Sequence, residues 1–365
     1  MNDSTVFLPS FGNKPAELVG RSEIVENFKK GLNNSVGHPD RASLLVGQRG
    51  MGKTALLLEF NDQAERLGFV AARVTATDDL LNELIGTIQL KGSQLIRQRR
   101  KVTDFSAGAF GFTLGLGFTD EIERNYSFLN KLSLLADELQ KQGSGVVILV
   151  DEIQANSAAL RTLTAAYQHL VGEGKNIAIV MAGLPHAVST VLNDDVLTFF
   201  NRARKTKLGP LSISTVSVYY AKVFDNLGIS ITPEMLDAAA NSTHGYPYLL
   251  QLIGYYLLEF AGKSEAISGE RLEMALQNAK RDLVDNVFEP IIKPLSDVDR
   301  KFLHAMAKDY KTSRTADLKE RLRFSNSMVQ VYRKRLIDAG AIAAERRGEL
   351  AFTLPFFGEY LRGEL

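Results

Sequence analysis

The most constraining stretch of the chain is Ser43-Leu44-Leu45-Val46-Gly47-Gln48-Arg49-Gly50-Met51-Gly52-Lys53-Thr54. It reads as a short apolar strand, a glycine-rich turn and the opening of a helix, with Gly47, Gly52, Lys53 and Thr54 on the spacing G-x-x-x-x-G-K-[ST]. A triphosphate is held best by converging backbone N–H groups, and glycines let the backbone curl without Cβ clashes. On this reading Gln48, Arg49, Gly50 and Met51 line the cradle, Lys53 brings a mobile cation to the β and γ phosphates, and Thr54 brings a hydroxyl to Mg²⁺. The helix from Ala55 to Leu67 adds its positive N-terminal end. A second apolar run, Phe69 to Val74, completes the spacing of a parallel βαβ unit, so the fold here is α/β.

About a hundred residues further on, Gly145-Val146-Val147-Ile148-Leu149-Val150-Asp151-Glu152 describes a buried parallel strand that ends in two acids. Ligands of such sheets bind outside the carboxyl ends of the strands. Asp151 is therefore expected in the Mg²⁺ shell, and Glu152 is expected to orient or deprotonate an attacking water. Asn176 to Gly183 is a further strand, and Leu208 to Ser212 is expected to close a five-stranded parallel core. Arg202 and Arg204, just before it, are of the residue type that stabilises a neighbour's γ phosphate, or equally a solvated basic helix end.

Composition narrows the surroundings of this site. At 365 residues, the chain has room for roughly two to three domains. Lys and Arg total 43 against 42 Asp and Glu, a balance that speaks against a polyanion-coating surface but allows a local basic patch. Cysteine is absent, which excludes disulfides and cysteine-ligated zinc. Met1-Asn2-Asp3-Ser4 lacks a signal-peptide pattern, and the most apolar segment, Leu249 to Phe260, is too short to cross a membrane and is broken by Gln251 and Gly254. A soluble, cytoplasmic protein is expected.

The pattern divides the chain into an extended lead-in (1–17), the P-loop core (18–211), an all-helical lid (212–295) and a C-terminal module (296–365). Within the core, Phe110 to Phe118 alternates apolar with small residues, which predicts a glycine-rich hairpin inserted near 104–120. The tail reads as helices at Asp297 to Lys308, Thr315 to Leu322 and Ser327 to Ala339, followed by two short strands about Arg347-Gly348. That is the order of a winged helix-turn-helix. In its third helix Val329, Tyr332 and Leu336 share an inward face, leaving Ser327, Gln330, Arg333 and Lys334 outward. With Arg346 and Arg347 of the wing, these are residue types that read bases and phosphates, so double-stranded DNA is one expected partner. Packing against the ATPase or another protein is the alternative use of such a module.

With these pieces placed, the chain resembles AAA+ ATPases of the branch that holds origin-recognition initiators, archaeal-type ATPases and STAND signalling ATPases. Val19-Gly20-Arg21-Ser22-Glu23 looks like the V-G-R-E-x-E box, Gly47 to Thr54 like Walker A, and Val147 to Glu152 like Walker B. Gly245-Tyr246-Pro247 looks like the G-x-P turn of STAND-type lids. The resemblance implies that Val19, Gly20 and Arg21 border the adenine and that Gly245 and Pro247 close over the nucleotide. It also implies ATP and ADP as ligands with Mg²⁺, slow ATPase activity, and a homo-oligomer or a protein partner. Two features depart from the pattern: no polar sensor residue stands at Ala182 or Gly183, and no sensor arginine stands at the Gly245 to Gln251 turn. Both favour a slow nucleotide switch over fast, ring-coupled hydrolysis. A small-molecule kinase is disfavoured by the long helical segment and tail, and a dinucleotide-binding fold by the absence of G-x-G-x-x-G from the loop.

Overall fold

The computed structural model describes residues 6–10, 12–103, 126–154, 157–193, 198–261 and 266–365. The hairpin expected near 104–120 lies outside them. The chain divides into two compact units, one of Arg21–Gly47 with Lys53–Leu208, the other of Met1–Gly20, Gln48–Gly52 and Gly209–Leu365.

The first unit is built on a five-stranded sheet of β1 (Ala42–Gly47), β2 (Val70–Thr75), β3 (Val146–Asp151), β4 (Ile177–Gly183) and β5 (Arg204–Leu208). The spatial order is β2-β3-β4-β1-β5, and every pairing is parallel. β3 and β4 are buried along their whole length, as continuous Val/Ile/Leu runs require when both faces of a sheet are covered. The covering helices are α1 (Ser22–Asn33), α2 (Lys53–Arg66), α3 (Leu80–Thr103), α4 (Phe128–Lys141), α5 (Ala158–Gly172) and α6 (Pro185–Leu192). Leu84 and Ile88 of α3, Leu132 and Leu135 of α4 and Leu163 of α5 recur at helical spacing and join Ile148 and Ile179 in one core. Ser127 and Ser157 cap α4 and α5 by accepting from the backbone of Asn130 and Leu160.

The last strand is Arg204–Leu208 rather than Leu208 to Ser212, and its Ser43↔Arg204 to Gly47↔Leu208 register makes it an edge strand on β1. An edge tolerates Arg204, Lys205 and Lys207, whose charges hide it from a search for apolar runs, and Gly209-Pro210 then ends it. At the start of α1 the capping position is Arg21, whose side chain makes no cap hydrogen bond.

In the second unit Phe7 and Leu8 are anchored. Phe7 is 2% exposed, sits edge-on to Tyr219 and Tyr220, and fills the space where a Cβ at Gly254 would stand. The Leu8 amide donates to Gln251 Oε1 at 3.0 Å. The two residues that interrupt the apolar run Leu249 to Phe260 therefore form the seat for the chain's beginning. The helices here are α7 (Ile213–Asn226), α8 (Pro233–Ser242), α9 (Pro247–Ala261) and α10 (Gly269–Leu283), the last continuing through a π-helical turn at Val284–Phe288.

Residues from 297 onward form α11 (Asp297–Ala307), β6 (Thr312–Arg314), α12 (Thr315–Leu322), α13 (Asn326–Asp338), β7 (Ile342–Arg346), β8 (Glu349–Phe352) and α14 (Phe357–Arg362). The strands make an antiparallel sheet of order β6-β8-β7. β6 and α14 are too short to carry a readable period, and both become visible through their partners. Fully buried Asp299 ties the module together, sharing a capping box with Ser296 and accepting from Arg335 at 2.7 Å.

Candidate functional site

The chain leaves β1 at Gly47 and turns through two glycines with positive φ, Gly50 at 71° and Gly52 at 84°. Both torsions disfavour an L side chain. At Gly52 the space a Cβ would occupy is open, with no atom within 4 Å, so the backbone there is accessible from the side. Lys53 opens α2, and its Nζ donates to Gly47 O at 2.9 Å. Thr54 and Ala55 follow in the first turn of that helix.

β3 lies beside β4, which lies beside β1, and this order carries its acidic end toward α2. Thr54 Oγ1 donates to Asp151 Oδ2 at 2.8 Å. Asp151 is buried, and its Oδ1 accepts from the Glu152 amide at 2.9 Å. Glu152 is exposed and left-handed, with φ 54°, a conformation costing a non-glycine residue roughly 1–2 kcal/mol. The next amide, Ile153 N, donates to Ala182 O at 2.9 Å and pins the segment after it. Neighbouring structure thus holds an acid in a disfavoured torsion at the strand end. A hydroxyl and a carboxylate within one hydrogen bond form a hard-oxygen pair suited to Mg²⁺, which takes one or two carboxylates plus substrate phosphates.

Packing also accounts for the missing polar residue at the end of β4. A Cβ at Gly183 would stand 2.6 Å from Ile153 Cγ1, so a side chain there requires Ile153 to move.

The remaining expected residues fall into separate groups. Burial pushes the Arg21 guanidinium below its ordinary value. In the second unit, Val19 is buried, and Gly20 (φ 65°) comes within 3.2 Å, measured from its would-be Cβ, of Leu211 Cδ2. Gly245 O accepts from the Leu211 amide at 2.7 Å, and a Cβ at Gly245 would collide with the Leu211 backbone. The two glycines therefore converge on Leu211, with Pro247 opening α9 just beyond. Sequence reasoning passed over Tyr246, the middle residue of the G-x-P turn. It is buried, its hydroxyl donates to Arg49 O at 3.1 Å, and it occupies the space a Cβ at Gly50 would need. Burial pushes its hydroxyl pKa well up, which keeps the donor proton in place.

Arg202 ends a short 3₁₀ turn and is exposed. Arg204 is ion-paired with Asp40 and sits opposite Ser43, at the start of β1. Gly47, at the other end of that strand, pairs with Leu208.

In the C-terminal module, Gln330 and Arg333 of α13 come together with Arg346 and Arg347 around a groove of about 480 Å³, which Thr315 and Glu345 also line. Ser327 and Lys334 are exposed on α13 but lie outside that lining. Among the described residues, no helix is long and apolar enough to cross a membrane.

A parallel sheet of this order, with its glycine loop and its strand-end acids, has the α/β fold of a P-loop nucleotide-binding core. Residues 17–180 match the AAA ATPase domain family, and residues 285–361 match a domain of unknown function. Three solved structures share the fold over nearly the whole length. The Walker-type ATPase PABY2304 of Pyrococcus abyssi has a TM-score of 0.66 at 18% identity, covering 96% of this chain and 97% of its own. The ORC2 protein of Aeropyrum pernix, in ADPNP-ADP complexes, has a TM-score of 0.65 at 16% identity, covering 98% and 95%. Cdc6p of Pyrobaculum aerophilum has a TM-score of 0.51 at 16% identity, covering 97% and 94%. No curated protein matches the chain.

Proposed function

We propose that this chain is a slow, Mg²⁺-dependent ATPase switch whose nucleotide state sets the DNA-binding competence of a C-terminal winged helix. Residues 212–295 act as its lid. Thr54 and Asp151 would hold Mg²⁺, whose chemistry is to neutralise charge on the phosphates. Lys53 supplies a second positive charge to the β and γ phosphates, and the loop amides and the start of α2 supply the rest. Glu152 accepts a hydrogen bond from the attacking water, aligns it with the γ phosphorus and takes up its proton. The nucleotide complexes of the Aeropyrum pernix relative support this use of the fold.

One observation carries the switch. The turn His244-Gly245-Tyr246 touches the glycine loop through the Tyr246 hydroxyl on Arg49 O, and touches the C-terminal module through the His244 ring, 4.7 Å from Phe356 and perpendicular to it. His244 and Phe356 both have positive φ, 49° and 64°, so each is held in a torsion it would not choose alone. A loop that changes shape with the γ phosphate thereby acts on the module through three side chains, the differential contact a nucleotide-driven shift requires. Charge supports DNA as the partner: residues 296–365 hold 14 Lys and Arg against 10 acids, whereas the remainder holds 29 against 32.

The decisive measurement is nucleotide binding and ATP hydrolysis by wild type, Lys53→Ala and Glu152→Gln. Lys53→Ala is expected to lose both, and Glu152→Gln to keep binding and lose turnover. Equal hydrolysis by all three would refute the assignment. His244→Ala is expected to keep hydrolysis while DNA affinity ceases to depend on ATP versus ADP.

A further inference from the structure

The exposed face of α13 holds two residues that the fold does not need there. Val329 and Leu336, 3% and 0% exposed, anchor the helix, and Arg335 is held by Asp299 and lies over the Tyr332 ring. On the opposite side Val331 is 54% exposed, and Met328, on the flank of the helix one turn earlier, is 40% exposed. Val331 stands four residues after Ser327 and three before Lys334, which places it in the middle of the outward stripe. Gln330, also exposed, stands beside it and faces the groove with Arg333, Arg346 and Arg347.

Resting on the winged-helix reading above, we propose that the N-terminal half of α13 selects thymine in the major groove, with Val331 and Met328 packing on thymine C5 methyls and Gln330 pairing with adenine. The methyl is the one apolar group that base edges present in the major groove, and a glutamine amide matches the N6/N7 edge of adenine. The positions suit this role, because the N-terminal half of a recognition helix is the part that meets base edges. The basic groove alongside supplies phosphate contacts that fix register without reading sequence. A protein partner fits less well: two half-exposed side chains ringed by Ser327, Gln330 and Lys334 make a patch far below the roughly 800 Å² per partner of a stable protein interface.

The test uses the full-length protein with ATP and Mg²⁺, and two pools of duplexes with a randomised centre, one made with thymidine and one with deoxyuridine, which lacks only the C5 methyl. Wild type is expected to bind the thymidine pool more tightly by about fourfold for each methyl buried. In the double variant Met328→Ala/Val331→Ala, whose changes lie on an exposed face, the pools are expected to bind within about twofold of each other. Sites selected from the thymidine pool by wild type should be enriched in A·T pairs. Salt-dependent binding that ignores the methyl, or a methyl preference that survives the double variant, would overturn the inference and leave DNA binding standing. Binding to neither pool in ATP or ADP would overturn both and assign the module to a protein partner.

Discussion

The end of β3 and the face of α13, the two places where we propose that ligands bind, both carry polar side chains, and the structure holds them in opposite ways. At β3 both Asp151 oxygens are engaged, one by Thr54 and one by the Glu152 amide, and Glu152 is locked in a left-handed torsion. On α13 the buried residues Val329 and Leu336 hold the helix, while Ser327, Gln330, Val331 and Lys334 project from it exposed. Chemistry on a phosphate needs atoms placed before the substrate arrives, because reorganisation would be added to the barrier. A nucleic-acid surface needs only a rigid base, since long side chains adapt to the groove and water fills the gaps.

The largest effect expected from this contrast is at the acid. Glu152→Gln should lower turnover by about 10²–10⁴-fold in a steady-state phosphate-release assay while leaving thermal stability near wild type. A loss below about tenfold would mean that the pinned torsion serves the fold rather than the chemistry. Asp299→Ala strikes the base of the other region, stranding the capping box and Arg335. It should cost the C-terminal module about 1–3 kcal/mol in denaturant unfolding, through the lost cap and hydrogen bonds, with salt-dependent DNA binding lost in proportion. Gly50→Ala tests the loop tip, where a Cβ meets the Tyr246 hydroxyl and φ is already positive. A penalty of about 1–3 kcal/mol in nucleotide affinity or stability is expected, partly relieved by adding Tyr246→Phe. The smallest effect belongs to the groove: Arg346→Ala should leave the fold intact and reduce the slope of log affinity against log salt by about one. Unequal effects on different sequences would move that arginine from phosphate contact to base readout.

The two regions were also unequally legible. The glycine loop, the β3 strand and its two acids follow from local rules: residue type, spacing, and the need of a buried parallel strand for apolar residues. The module's helices α11, α12 and α13 and its β7–β8 hairpin were equally readable from period and turn chemistry. β5 was placed four residues late because an edge strand carries Arg204, Lys205 and Lys207. The anchoring of Phe7 over Gly254 and the contact of His244 with Phe356 could not be read, since each joins residues more than a hundred positions apart with no periodic signal.

What the sequence determined by itself is therefore the residues on offer: a glycine loop from Gly47 to Lys53-Thr54, two acids at Asp151 and Glu152 on the end of a buried strand, and a basic helix followed by a two-stranded hairpin near the C-terminus. Tertiary structure alone decided how these are held. Strand order brought Asp151 to Thr54 and put Arg204 at the far end of β1, and long-range packing set Tyr246 on the loop tip and His244 against Phe356. The physical reason is that side-chain chemistry and local backbone preference are encoded residue by residue, whereas the neighbours of a turn are chosen by the burial of the whole core.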